Sequence, residues 1–141
     1  MTRLTYLLLA AWISVAPGAH ATQAPDPRDA IIAAREAGTA LDAEGVKRLA
    51  AMGARLLDVR SAEEWKAGHI EGAQHAYWLN VMEPVTQLWP DKSTPIVTYC
   101  AVGARSRAAA MRLRAAGYTH VIAMTQGGYA ELVQAGLPKA P

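Results

Sequence analysis

The chain contains one cysteine, Cys100, and its neighbours give that residue a chemical setting. It follows Pro95-Ile96-Val97-Thr98-Tyr99, a β-branched and aromatic run that reads as a buried strand. Ala101, Val102, Gly103 and Ala104 come next, then Arg105 and Ser106 at the start of a strongly helical stretch. A sulfur placed between a strand end and a helix start faces the first N–H groups of that helix and the positive end of its dipole. Both favour thiolate over thiol. Gly103 permits a positive φ, so the loop can curl with successive N–H groups turned inward as an anion nest. In open α/β sheets ligands bind outside the carboxyl ends of the strands, which is where this cysteine stands. The chemistry to expect is attack by a thiolate, with Arg105 adding a permanent charge for an anionic partner.

A lone cysteine also has a plainer reading, as a small buried hydrophobe, and composition alone favours it. With no second cysteine there is no intramolecular disulfide, and no resolving thiol for a disulfide oxidoreductase. No His or Cys cluster has metal-ligand spacing, so neither a metal nor another cofactor is expected. The 14 basic side chains nearly balance the 12 acidic ones and are interspersed with them, which argues against nucleic acid or an anionic membrane as a partner. At 141 residues, with 52% hydrophobic side chains and no low-complexity run, the chain should fold as one domain.

The elements that must position the cysteine alternate between two periods. Arg28 to Ala37 has a helical pattern that Gly38 stops. Asp42 can cap a second helix running to Met52, with Gly53 as its stop. Leu56 to Val59 reads as a short buried strand, and Ser61 with Glu64 has capping-box spacing for a short helix ending near Gly68. Gln74 to Ala76 is a weaker strand and Asn80 to Trp89 a helix or helical turn. After the Pro95–Tyr99 strand come a helix over Arg105–Ala116, a strand over Val121–Met124, and a helix over Tyr129–Ala135 introduced by Gly127-Gly128. Met82, Met111 and Met124 read as core. Strands alternating with helices imply parallel pairing in a three-layer α/β domain.

The first residues read as a processing signal. Arg3 precedes the apolar run Leu4 to Val15, and Ala19-His20-Ala21 is a small-x-small cleavage site. About a dozen apolar residues fall short of the roughly 20 that a membrane span needs. The expectation is a cleaved signal peptide over residues 1–21, a periplasmic location, and no stable membrane insertion after cleavage. Residues 22–40 then form a linker and N-terminal extension, and 41–138 the domain.

The pieces Leu56-Leu57-Asp58-Val59-Arg60, Glu63-Glu64-Trp65, Gly68-His69-Ile70-Glu71-Gly72-Ala73, Tyr99 to Ser106, Gly117-Tyr118 and Gly127-Gly128 appear in order. In them the chain resembles the single-domain rhodanese family, from about Leu41 to Pro138. The resemblance implies a five-stranded, mainly parallel sheet with helices on both faces, and a thiosulfate sulfurtransferase activity that passes through a persulfide on Cys100. It implies substrate contacts from Ala101, Val102, Gly103, Ala104 and Arg105, with Asp58 and Arg60 as structural support beneath the loop. The partners it implies are a small-molecule sulfur donor and a thiophilic acceptor, cyanide or a thiol, acting on a monomer. His69 is read as a packing residue, since a preformed thiolate needs no general base. Leu132 stands where many members carry Trp. The loop has no cation besides Arg105, which suits a singly charged or neutral persulfide donor better than thiosulfate. Related phosphatases place five residues between their cysteine and arginine; here there are four, and Ser106 is no arginine. A non-enzymatic sulfur carrier or interaction module is the alternative.

Overall fold

The computed structural model describes residues 23–141; the signal-peptide reading lies outside the described residues. Asp26 caps the first helix, α1 (Pro27–Glu36), by accepting from the Arg28 amide, and Pro27 takes the first-turn position where its missing N–H costs nothing. Helix α2 (Ala43–Ala51) opens on Asp42, whose Oδ1 accepts from the Gly45 amide at 2.8 Å. The remaining elements are β1 (Arg55–Asp58), α3 (Ala62–Lys66), β2 (His69–Ile70), β3 (Gln74–His75), α4 (Met82–Leu88) and β4 (Ile96–Tyr99), with a 3-10 turn at Trp78–Asn80 before α4. They are followed by α5 (Ala104–Ala115), β5 (Val121–Ala123), α6 (Tyr129–Gln134) and β6 (Lys139–Ala140).

Four strands form a parallel sheet in the order β3-β1-β4-β5. The fifth position expected from the sequence is filled by one residue: Leu41 bridges Met124 in parallel at the β5 edge. The chain stays extended no further there, because Asp42 already caps α2. Strand alternation sends side chains to two cores. Leu56, Val97, Tyr99, Ile122 and Met124 pack against Ile31, Val46, Leu49 and Leu132 from α1, α2 and α6. Leu57, Ile96, Val121 and Ala123 pack against Val85, Ala109, Ala110 and Leu113 from α4 and α5. This is the three-layer α/β arrangement the sequence implies.

Three features differ from the sequence reading. The short strands β2 and β6 pair antiparallel in a separate two-stranded sheet, closing the C-terminus onto the segment after α3. Ile31 of α1 is fully buried in the first core, so the helix expected within an N-terminal extension is packed into the domain. Met111, expected in the core, is 59% exposed, because α5 buries the face carrying Ala109, Ala110 and Leu113 and turns Met111 to solvent. Met124 is fully buried and Met82 packs at the edge of the second core.

Candidate active site: the Cys100 loop

Cys100 follows the last residue of β4, beside the carboxyl end of β1, and is only 1% exposed. The Gly103 amide points at Sγ from 3.0 Å, and Gly103, at φ +99°, is the residue that turns the loop into α5. No other residue type fits there without strain: the conformation is left-handed, and a Cβ would lie 3.0 Å from the Thr125 carbonyl oxygen. Burial pushes the thiol up, but the amides of Ser106, Val102 and Gly103 and the Ser106 hydroxyl outweigh it, and the net shift is below the ordinary thiol value. The amides carry most of this effect. The single hydroxyl hydrogen of Ser106 is already shared between the carbonyls of Met124 at 2.6 Å and Gly103 at 2.8 Å, which pin the loop to β5.

The loop rests on the Gly127-Gly128 turn. The Tyr129 amide donates to the Cys100 carbonyl at 2.8 Å, and a Cβ on Gly128 would run into the carbonyls of Cys100 and Ala101. Those atoms are backbone and cannot step aside. Gly128→Ala is expected to cost about 1–3 kcal/mol, the range for overpacking, and to displace the loop; urea denaturation and an activity assay check both. A variant as stable and active as the parent would show that the loop has slack.

Arg105 closes the loop, but its charge is answered from within the protein. Its Nη1 and Nη2 donate to Glu64 Oε2 at 2.6 Å and Oε1 at 2.9 Å, a bidentate pair. The hydrogen bond from Arg105 is the main reason that the Glu64 carboxyl falls to about 2, opposed by partial burial and helped by the Ser61 amide. Glu64 also completes the capping box of α3, accepting from the Ser61 amide while Ser61 Oγ accepts from its own amide. One carboxylate thus joins the start of α3 to the start of α5. The sequence spacing reveals the capping box; it carries no sign of the contact with Arg105, 41 residues away.

Because the folded-state value lies below the ordinary 4.5, this pair contributes stability above about 4.5 that is lost as pH falls toward 2. Both side chains are about one-third exposed, so solvent screening holds the contribution to about 1 kcal/mol. Glu64→Gln is expected to be less stable than the parent by that amount at pH 7, with the gap closing near pH 2. Denaturant titrations at the two pH values measure it, and a gap that persists in acid would point to lost packing.

Asp58 and Arg60 form a buried ion pair under the same end of the sheet. Arg60 Nη2 lies 2.6 Å from Asp58 Oδ2, and Nε and the Arg60 amide also donate to Asp58. The same Nη2 donates to the Gly68 carbonyl at 2.8 Å, and the guanidinium lies 4.0 Å over the Tyr129 ring. The pair therefore ties β1, the α3–β2 connection and α6 together. Tyr99 adds a hydroxyl that accepts from the Ile70 amide; burial, then the charge of Asp58, raises its pKa and keeps it neutral. The sequence reading marks Tyr99 as the last residue of a buried strand and Tyr129 as a helix start, but gives neither of them these contacts. His69 stacks on Trp65 with ring centres 3.4 Å apart, and its Nδ1 donates to the Trp65 carbonyl. It packs, as expected from the sequence. Among the described residues no group of His, Cys, Asp or Glu is placed to hold a metal.

Comparison with known proteins identifies the family of the domain. Residues 39–135, more than half of the chain, match the model of the rhodanese-like domain. The chain is 35% identical over 65 residues to the thiosulfate sulfurtransferase PspE of Escherichia coli (strain K12), covering 46% of this chain and 62% of that protein. It is 31% identical over 84 residues to the thiosulfate sulfurtransferase GlpE of Pseudomonas fluorescens (strain SBW25), covering 60% of this chain and 75% of the relative. Among solved structures, the human single-domain sulfurtransferase TSTD1 superposes with a TM-score of 0.54 at 33% identity, over 64% of this chain and 90% of the other. A rhodanese from E. coli, solved with anions, gives 0.54 at 31% identity, over 62% and 98%. With a buried cysteine at a strand end, a loop of inward-facing amides and a domain match that spans the site, this chain belongs to the rhodanese-like family.

Proposed function

We propose that the protein is a sulfurtransferase in which Cys100 carries sulfane sulfur as a persulfide. The observation that carries this reading is the Cys100 sulfur inside a loop of backbone N–H groups. These lower its pKa and remain available to the outer sulfur of a persulfide, which bears the negative charge after transfer. In the first step the thiolate attacks the sulfane sulfur of the donor. A new S–S bond forms and the donor's own bond to that sulfur breaks with both electrons leaving on the remnant, sulfite when the donor is thiosulfate. In the second, cyanide or a thiol attacks the outer sulfur and the thiolate departs. No proton is abstracted in the first step, which agrees with His69 being engaged with Trp65.

Ala101 to Arg105 would bind the donor mainly through backbone amides. Arg105 is held by Glu64, which lowers the net charge that the loop presents to a dianion, while Val102 at its tip is 76% exposed and apolar. This favours a singly charged or neutral persulfide donor over thiosulfate. Steady-state kinetics with cyanide as acceptor test the reading. Parallel double-reciprocal lines and a higher kcat/KM for an organic persulfide than for thiosulfate are expected, and failure to form thiocyanate from any sulfane donor would overturn it.

Export is part of the same proposal. No helix among the described residues is long and apolar enough to cross a membrane, and the Ala19-His20-Ala21 site supports a periplasmic mature chain that starts at Thr22. N-terminal sequencing of the exported protein should read Thr22 first; a start at Met1 in that fraction would contradict it.

A further inference from the structure

A groove of about 440 Å³ runs along the outer side of β5, between α5 and the connection that leaves α1. Three arginines line it and no carboxylate does. Arg107 and Arg114 flank Met111 on one stripe of α5, at the helical spacing i, i+4 and i+7, and Arg35 reaches in from the last turn of α1. We propose that this groove binds a phosphate- or sulfate-type dianion, alone or as the headgroup of a small molecule, at a site separate from Cys100.

The plain account of these arginines covers part of their chemistry. Arg35 Nη1 donates to the Thr119 carbonyl at 2.7 Å and Arg114 Nη1 to the Val121 carbonyl at 3.2 Å, so each spends one N–H on the strand and is oriented by doing so. A guanidinium has five, and the remaining donors form the planar fork that matches an oxyanion. Arg107 makes no hydrogen bond or ion pair with a side chain or carbonyl among the described residues, through any of its guanidinium nitrogens. It is a free, exposed cation on the groove wall.

Bringing like charges together is unfavourable unless an anion joins them. The cost is visible at Arg114, whose pKa is held below the ordinary value by burial and then by the charge of Arg35. The floor and wall are Ile122 and Met111, apolar surface that excludes water from one side of each ion pair and so strengthens it. Arg60 and Arg105, by contrast, each have a carboxylate in contact. The groove abuts the back of the cysteine loop, since the Arg107 amide donates to the Gly103 carbonyl at 3.1 Å and Thr125 lies against Gly103. The groove and the cysteine loop share a wall, and Cys100 does not line the groove.

The test is an amide-resolved NMR titration of the protein with inorganic phosphate, ionic strength being held constant with sodium chloride. Saturable shifts are expected at Gly38 to Ala40, Arg107 to Met111 and Thr125. Arg107→Gln, which removes no hydrogen bond or ion pair of the described residues, should weaken binding about tenfold or more, the scale of a lost charge-assisted hydrogen bond. Cys100→Ser should leave the affinity unchanged. Shifts that chloride alone reproduces, equal affinity in Arg107→Gln, or shifts centred on residues 100–105 that vanish in Cys100→Ser would each overturn the proposal. None of these readings depends on sulfur transfer, so the site stands or falls separately from the proposed reaction.

Discussion

Cys100→Ser is expected to abolish sulfur transfer, by about 10⁴-fold or more on the scale seen when a catalytic nucleophile is removed, and to leave the fold in place. The serine hydroxyl fits the cavity and can accept from the same Gly103 amide that now reaches Sγ at 3.0 Å. It does not ionise near neutral pH, so the amide loop has no anion to stabilise. The parent protein's proposed activity should also extend further into the acid range than a free cysteine's would, because the thiol's pKa is lowered in the folded state. The linkage has a definite sign. The thiolate adds stability above the ordinary thiol pKa, and that contribution is lost as pH falls through the lowered one. Residual turnover in Cys100→Ser would remove the cysteine from the mechanism, whereas loss of cooperative unfolding would show that it is needed for packing.

The largest stability effect falls on the ion pair beneath the loop. Asp58→Ala strands the Arg60 guanidinium, 5% exposed, without its carboxylate, and the expected loss is about 3–5 kcal/mol. That is a large part of the about 5–15 kcal/mol available to a typical domain. Activity should fall with it, since Arg60 also holds the Gly68 carbonyl and covers Tyr129, the residue whose amide supports Cys100. Replacing both partners together, Asp58→Leu with Arg60→Met, should cost less than Asp58→Ala alone, because no unpaired charge is left buried. Chemical denaturation of the parent and the two variants decides it. A double variant less stable than the single one would mean that the bonds to Gly68 and Tyr129 outweigh the charge pairing.

Much of the fold was legible because its signals are local. Asp42, Ser61 with Glu64 and the glycines after the helices mark ends that a helix must satisfy within one turn, and the structure uses them so. The β4–Cys100–α5 junction was equally legible, as a strand run, a glycine and a helical run in sequence. What was hidden depends on distance along the chain. The β2–β6 pairing joins residues about 70 apart through two-residue strands that have no periodicity to detect. The Glu64–Arg105 pair, which braces the start of α3 against the start of α5, joins residues 41 apart. Met111 was misplaced because an Ala-rich helix gives little contrast between its faces, so packing geometry rather than residue type decides which one is buried.

The central claim is that Cys100 accepts sulfur and gives it up again. Intact-mass measurement of the purified chain after exposure to thiosulfate or an organic persulfide tests it most directly. The account predicts a species one sulfur atom heavier that returns to the original mass on addition of cyanide and never forms in Cys100→Ser. An unchanged mass with every donor, or the same added sulfur in the serine variant, would contradict it.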